Sequence, residues 1–272
     1  MQILFLGDIV GKPGREVLRQ TLPALVSTNN IDIVIANVEN AAGGKGITRE
    51  VSEAIRDMGV HVMTSGNHIW DKKEALDYIE LEPRLIRPAN YPDAPGSGHY
   101  VAQTDIGPFV GVVNIMGRVF MNPLDNPFEV VKREVAIVRE KAAVVIVDFH
   151  AEATSEKVAM GWHLDGEVTA VVGTHTHVQT ADERILPQGT AFITDVGMTG
   201  PHDSVIGVET RAVLSRFNSG RPSRFETASA NPRVNGVIIS ADPKTGRARS
   251  ITRINVASSD TEILTSTGTP IS

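Results

Sequence analysis

The sequence predicts an α/β fold. Short apolar, β-branched runs of strand length alternate with amphipathic stretches over the first 80 residues and again after residue 129. The apolar runs end at glycine or at clustered polar residues, which is how strands finish at the edge of an α/β sheet. The chain has 272 residues and is 41% hydrophobic, enough to bury roughly three quarters of its unfolded surface without staples. That length admits one large domain or two small ones.

Taken in order, residues 3–6 form a short apolar strand that runs into Gly7-Asp8. Pro13 suits the first turn of a helix reaching about Val26. Residues 31–36 are the next strand, followed by Asn37-Val38-Glu39-Asn40 and the loop Gly43-Gly44-Lys45-Gly46. Thr48 has the character of an N-cap for a helix over 51–58. Residues 60–64 are a third strand ending in Ser65-Gly66-Asn67-His68, with a helix over 71–79 behind it. The first part of the chain is therefore three βα units.

Residues 83–98 are rich in Pro, Gly, Asn and Asp and read as a long loop. Residues 100–102 and 109–113 suit a hairpin, and 114–128 a further loop. A helix over 129–141 leads to a buried strand over 143–149 that ends at His150. Residues 154–160 are helical, and 168–172 form a strand ending at Gly173. Strands follow at 191–194 and 235–240, with a helix near 209–217 between them. Residues 249–256 alternate and pair with 235–240 across the turn 242–246. Residues 257–272 are polar, lack Lys and Arg, and read either as disordered or as cover for a neighbouring surface.

Composition narrows the function. Cysteine is absent, which excludes disulfides, thiolate ligands and a cysteine nucleophile and agrees with a reducing, cytoplasmic setting. A formal net charge of -6 argues against strong non-specific nucleic-acid binding, though not against a small phosphate ligand beside a metal. No leader-like segment or membrane-length apolar run is present, so no membrane partner is expected.

The stretch Gly173-Thr174-His175-Thr176-His177 focuses the chemistry. Alternate residues of an extended segment face one side, so His175 and His177 are expected to aim both imidazoles at one place. Alone, such a pair reads equally as polar loop residues. The other strand ends add Asp8, Glu39, Asn40, Asn67, His68 and His150. In α/β sheets, ligands bind beyond the carboxyl ends of the strands. Carboxylate, imidazole and amide donors suit Mn, Fe or Zn, and about seven of them suit two ions bridged by a shared carboxylate. His61, His99, His163 and His202 read as ordinary surface or core histidines. The glycine-rich loop reads as a flexible connection or a phosphate cradle, and Arg118 and His202 as surface or substrate-reaching residues.

The ordered series Gly7-Asp8, Glu39-Asn40, Gly66-Asn67-His68, His150 and Gly173-Thr174-His175-Thr176-His177 resembles the calcineurin-like metallophosphoesterases. Gly7-Asp8-Ile9-Val10-Gly11-Lys12-Pro13-Gly14-Arg15, the segment Asn37-Val38-Glu39-Asn40-Ala41-Ala42-Gly43-Gly44-Lys45-Gly46 and Asp195-Val196-Gly197-Met198-Thr199-Gly200-Pro201 make it more specifically similar to the bacterial YmdB-like phosphodiesterase branch. Two positions depart from the broader pattern: Val10 stands where a histidine is usual, and Glu39 where the bridging aspartate is usual.

The resemblance implies a two-sheet α-β-β-α sandwich over a single domain, 1–272, with 83–128 as a loop-rich insertion or cap. It implies one metal ion held by Asp8, Glu39, Asn40 and His177 and a second held by Glu39, Asn67, His150 and His175. Fe or Mn is expected, with Zn also compatible. His68 is left as the general acid, or else as a hydrogen-bond partner of a nearby carboxylate. The implied function is hydrolysis of phosphate diesters, including 2′,3′-cyclic nucleotides such as 2′,3′-cAMP, by attack of a metal-bound hydroxide. The partners expected are a small phosphodiester or cyclic-nucleotide substrate and further copies of the chain in a homo-oligomer. A phosphomonoesterase with the same site stands as the enzymatic alternative. The non-enzymatic one is a regulatory or RNA-associated binding protein with a vestigial metal site.

Overall fold

The computed structural model describes residues 1–105 and 107–260. Its first half runs β1 (Gln2–Leu6), β2 (Asp8–Ile9), α1 (Gly11–Asn29), β3 (Ile33–Asn37), α2 (Arg49–Asp57), β4 (Val62–Thr64), α3 (Glu74–Tyr78), β5 (His99–Gln103), β6 (Phe109–Met116) and α4 (Pro127–Arg139). The second half continues with β7 (Val144–His150), α5 (Thr154–His163), β8 (Ala170–Thr174), β9 (Arg184–Ile185), β10 (Ala191–Ile193), β11 (Met198–Pro201), α6 (Thr210–Ser219), β12 (Pro232–Ala241) and β13 (Ala248–Ala257).

Two mixed sheets result. In the first, β4, β3 and β1 are parallel neighbours, and β1 pairs antiparallel with β12. β13 lines the other edge of β12, while β11 meets β12 beyond the end of β1 and carries β2 beside it. In the second, β6, β7, β8 and β10 run parallel, with antiparallel β5 and β9 at the edges.

Strand alternation builds the layers. Ile3 and Phe5 of β1 join Ile33 and Ile35 of β3 and Val144 and Ile146 of β7 in a core between the sheets. Leu4 and Leu6 face the other way, onto Val17, Leu18, Leu22 and Leu25 of α1. Val145, Val147 and Phe149 of β7 pack outward against Val131, Val135 and Val138 of α4 and Met160 of α5. Three stacked cores give the expected four-layer sandwich. Each fully buried aliphatic or aromatic side chain contributes about 1.5–3 kcal/mol.

Helix ends follow local chemistry. Thr48 caps α2 by accepting the Val51 N–H at 3.3 Å, and Asn126 caps α4 through the Phe128 N–H at 3.2 Å. Pro23 sits inside α1.

Several boundaries differ from expectation. β6 runs on to Met116, because Asn114 and Met116 pair with Asp148 and His150 of β7. The helix expected from residue 71 begins at Glu74, because the Asp71 N–H closes a turn onto the His68 carbonyl at 3.0 Å. β8 ends at Thr174 rather than Gly173, held by the Thr174–His150 pairing. The tail reading concerned residues 257–272, of which 261–272 lie outside the described residues. Among the described residues, no helix is long and apolar enough to cross a membrane.

Candidate functional site

All the strand ends singled out in the sequence open on one place. Asp8 follows β1, Glu39 and Asn40 follow β3, and Asn67 and His68 follow β4. His150 closes β7, and His175 and His177 follow β8. Two glycines permit the approach. A Cβ on Gly7 would lie 2.0 Å from the Gly197 carbonyl oxygen, and one on Gly66 would lie 2.3 Å from His150 Nε2.

The turn after β8 is not the extended segment expected. His175 has φ 101° and His177 φ 64°, both in the left-handed region that side chains avoid. The two imidazoles still reach the same cluster, against different neighbours. His175 Nδ1 lies 3.0 Å from His150 Nε2, and His177 Nε2 lies 3.1 Å from the Asn40 amide and 3.8 Å from Asp8 Oδ1. The conformation is held from outside. Asp8 Oδ2 accepts the His175 N–H at 3.2 Å, and Asp195 Oδ2 accepts the Thr176 N–H at 3.0 Å. Buried Lys157 donates to the Thr174 carbonyl and to Asp195 Oδ2, both at 2.7 Å.

Each imidazole has one nitrogen committed elsewhere. His150 Nδ1 faces Thr174 Oγ1 at 2.9 Å, and the Thr174 hydroxyl donates to Asp148 Oδ1 at 2.7 Å. The hydroxyl proton is thus spent, so Nδ1–H is the donor to Thr174. His175 Nε2 meets the Glu152 carboxylate at 3.0 Å, and His177 Nδ1 meets the Ile206 carbonyl at 2.9 Å. Both partners only accept, so those nitrogens also carry protons. With a cation bound, three neutral rings would turn three lone pairs inward, toward Asp8 and Glu39. This is how metal-ligating histidines are oriented.

The donors crowd one another. His150 Nε2 lies 3.2 Å from Glu39 Oε1, 3.0 Å from Asn67 Oδ1 and 3.0 Å from His175 Nδ1, yet one proton can satisfy only one of them. Asp8 Oδ1 is buried with no hydrogen-bond partner. Donor atoms of Glu39, His150 and His175 all lie within 4.8 Å of one another, a grouping able to hold a metal ion.

The charges respond to the crowding. Burial works against charge on His150, but Glu39 and Asp8 push its pKa up to about 9. Burial works against charge on Glu39 as well, yet His150 and the His68 N–H hold it down at about 2. Burial and the neighbouring His150 push His175 down to about 3. Burial also raises Asp8, and it raises Asp148 to about 7. Positive charge on His150 thus offsets the Glu39 carboxylate, a role that a divalent cation in the site would take over.

His68 joins the group through its backbone, whose N–H donates to Glu39 Oε2 at 2.9 Å; its ring Nδ1 faces Asp71 Oδ2 at 3.0 Å. The remaining histidines make packing contacts. His61 Nδ1 accepts the Val34 N–H, His99 pairs with Glu134, His163 donates to the Phe128 carbonyl, and His202 joins Asn235. Gly44 and Lys45 of the glycine-rich loop line the cleft over the site, which measures about 550 Å³.

Sequence reasoning missed Asp148, Glu152, Lys157, Thr174 and Asp195. One signal was available: Asp148 and His150 are two apart in a strand that is otherwise apolar, so they share a face.

Two mixed sheets packed face to face between helices, with these donors gathered at the strand ends, make this a protein of the metallophosphoesterase type. Within that class the chain belongs to the YmdB-like family, whose model, described as YmdB-like protein, matches residues 4–254. It is 46% identical over 255 residues to a 2′,3′-cyclic-nucleotide 2′-phosphodiesterase of Bacillus subtilis (strain 168), covering 93% of this chain and 96% of that protein. It superposes on the crystal structure of a hypothetical protein from Thermus thermophilus with a TM-score of 0.87 at 42% identity, covering 94% of this chain and 99% of that one. It superposes on the crystal structure of a novel phosphatase from Mycoplasma pneumoniae with a TM-score of 0.88 at 36% identity, covering 94% and 93%.

Proposed function

We propose that this chain is a metal-dependent phosphodiesterase acting on 2′,3′-cyclic nucleotides such as 2′,3′-cAMP. The observation that carries the proposal is the inward aim of three imidazoles, each with its other nitrogen committed, upon two buried carboxylates. The similarity to a 2′,3′-cyclic-nucleotide 2′-phosphodiesterase over most of the chain supports the choice of substrate.

The donor set suits two ions. Asp8, Glu39, Asn40 and His177 would hold one, and Glu39, Asn67, His150 and His175 the other. Oxygen and imidazole donors without thiolate suit Mn, Fe or Zn. Bound ions supply Lewis-acid charge at the phosphoryl group.

The protein's own residues do the rest. In our reading His68, whose backbone is fixed by Glu39 and whose ring is oriented by Asp71 through Nδ1, delivers a proton from Nε2 to the departing O2′. Water adds to phosphorus, the P–O2′ bond breaks, and a 3′-phosphate remains. Asn67 brings an amide oxygen without added charge, while the Asn40 amide nitrogen faces Glu39 and His177 and its side chain would have to turn over to offer its oxygen.

The test uses chelator-stripped protein with bis(p-nitrophenyl) phosphate and 2′,3′-cAMP, before and after Mn²⁺ is restored. Hydrolysis that appears only with metal is expected. Metal-loaded protein that cleaves phosphate monoesters but not diesters would make it a phosphomonoesterase. Metal-loaded protein inert to both would make it a binding protein.

A further inference from the structure

The cleft above the donor cluster has a second half that the proposed hydrolysis does not use. Its near end is formed by Glu39, Asn40, His68, His175 and His177. The rest of its lining is largely aromatic and apolar, with Phe217, Phe225, Ile206, Val208 and Val213, and Arg216 standing among them. Phe217 is 77% exposed and Phe225 40%, so both rings are accessible to a ligand in the cleft they line. The Arg216 guanidinium lies 5.1 Å from the centre of the Phe225 ring, a cation–π pair.

This wall is tied to the donor cluster. His177, which faces Asp8 through Nε2, is held through Nδ1 by the Ile206 carbonyl at 2.9 Å. The 205–208 segment is bonded to the segment carrying Phe225: Ala228 N–H donates to the Gly207 carbonyl at 2.9 Å, and Glu209 N–H to the Glu226 carbonyl at 3.0 Å. Val208 and Thr227 are bridged as well. The wall thus stands in fixed register with the place where phosphate would sit.

We propose that Phe217 and Phe225, with Arg216, form a stacking wall for the nucleobase of the substrate. The inference rests on the phosphodiesterase reading and adds where selectivity for nucleotides arises. Aromatic faces accept any base, because every base offers a π-face. A cleft of about 550 Å³ lies in the range of small-ligand sites. A wall of this kind recognises a nucleobase without choosing among bases.

The experiment compares 2′,3′-cAMP with glycerol 1,2-cyclic phosphate, a five-membered cyclic diester without a base, on the Mn²⁺-loaded enzyme. Wild type is expected to prefer the nucleotide in kcat/KM. In Phe217→Ala and Phe225→Ala that preference is expected to fall about tenfold, mainly through a higher KM for 2′,3′-cAMP. Phe217→Tyr keeps a stacking face and is expected to retain it. Wild type that cleaves both compounds equally well, or alanine variants that keep the preference or lose both activities alike, would overturn the wall while leaving the diesterase reading intact. Wild type that cleaves neither would overturn both.

Discussion

Replacing Gly66 by alanine should break the donor cluster without unfolding the chain. Gly66 lies just beyond β4, where its backbone runs between two donors. A Cβ there would stand 2.3 Å from His150 Cδ2 and Nε2 and 2.5 Å from Glu39 Oε2. Comfortable contact needs about 3.5 Å, so each side chain must retreat by about 1 Å. Neither has room: His150 is 0% exposed and Glu39 1%. Both are also tethered, His150 to Thr174 and Glu39 to the His68 N–H. Overpacking of this kind costs about 1–3 kcal/mol, and each kcal/mol lowers the melting temperature of a chain this long by about 2–4 °C. The site should suffer more, since a displacement of about 1 Å at a reacting centre can cost about 100-fold in rate. Thermal melts followed by circular dichroism, metal content by mass spectrometry and kcat/KM on 2′,3′-cAMP read the three consequences separately. G66A protein should melt a few degrees lower, retain less metal and lose about 100-fold in activity. Wild-type metal content together with wild-type activity would refute the reasoning, because it would mean the cluster tolerates the displacement.

Substitutions at four further positions separate roles within and around the site. His68→Ala should lower turnover by about 100-fold while metal content stays full; lost metal would make His68 a ligand. Glu152→Ala frees the His175 ring and should weaken metal binding about tenfold in a competition titration, whereas Glu152→Gln keeps an acceptor and should weaken it less. Lys157→Met leaves Asp195 buried without its cation and should destabilise the fold by about 3–5 kcal/mol in urea unfolding; an unchanged midpoint would count against the pair as the anchor of the 174–177 turn. Asp182 accepts the Thr180 hydroxyl and the Thr194 N–H and hydroxyl. Burial alone would raise the Asp182 pKa, but these bonds hold it below the ordinary value. A depressed native pKa adds stability that is present above the unfolded value of about 4 and lost as pH falls through the native one. Asp182→Asn should therefore be less stable than wild type at pH 7, with the gap closing below about pH 4; a constant gap would contradict the linkage.

What could be read from the sequence was whatever depends on chain-local rules. Strands end where apolar runs end, and parallel strands deliver their ends to one edge. That was enough to name Asp8, Glu39, Asn40, Asn67, His68, His150, His175 and His177 as candidates before any contact was known. It also gave the three βα units and the hairpin of β5 and β6. The stacking of two sheets was not local. Leu4 and Phe5 are both apolar, and nothing in the strand says that one meets α1 while the other meets the second sheet. β2, β9 and β11 span 2, 2 and 4 residues, too short to carry a period.

The turn after β8 shows most plainly where sequence reading stops. Alternation predicted an extended segment, but positive φ at His175 and His177 bends it, and the two imidazoles reach the cluster against different partners. That conformation is imposed by Asp8, Asp195 and Lys157, which lie 167, 19 and 17 residues from the turn atoms they bind. The same distinction governs chemistry. A histidine in a sequence offers two nitrogens, and only its neighbours decide which one keeps the proton. Here Thr174, Glu152 and the Ile206 carbonyl decide for three rings, from β8, the segment after β7 and the loop before α6. Removing any one of these partners should leave every donor in place yet turn a lone pair away from the site. Full activity in a variant lacking the Glu152 acceptor would show that the ring positions alone suffice, and that the hydrogen bonds behind them do not set their direction.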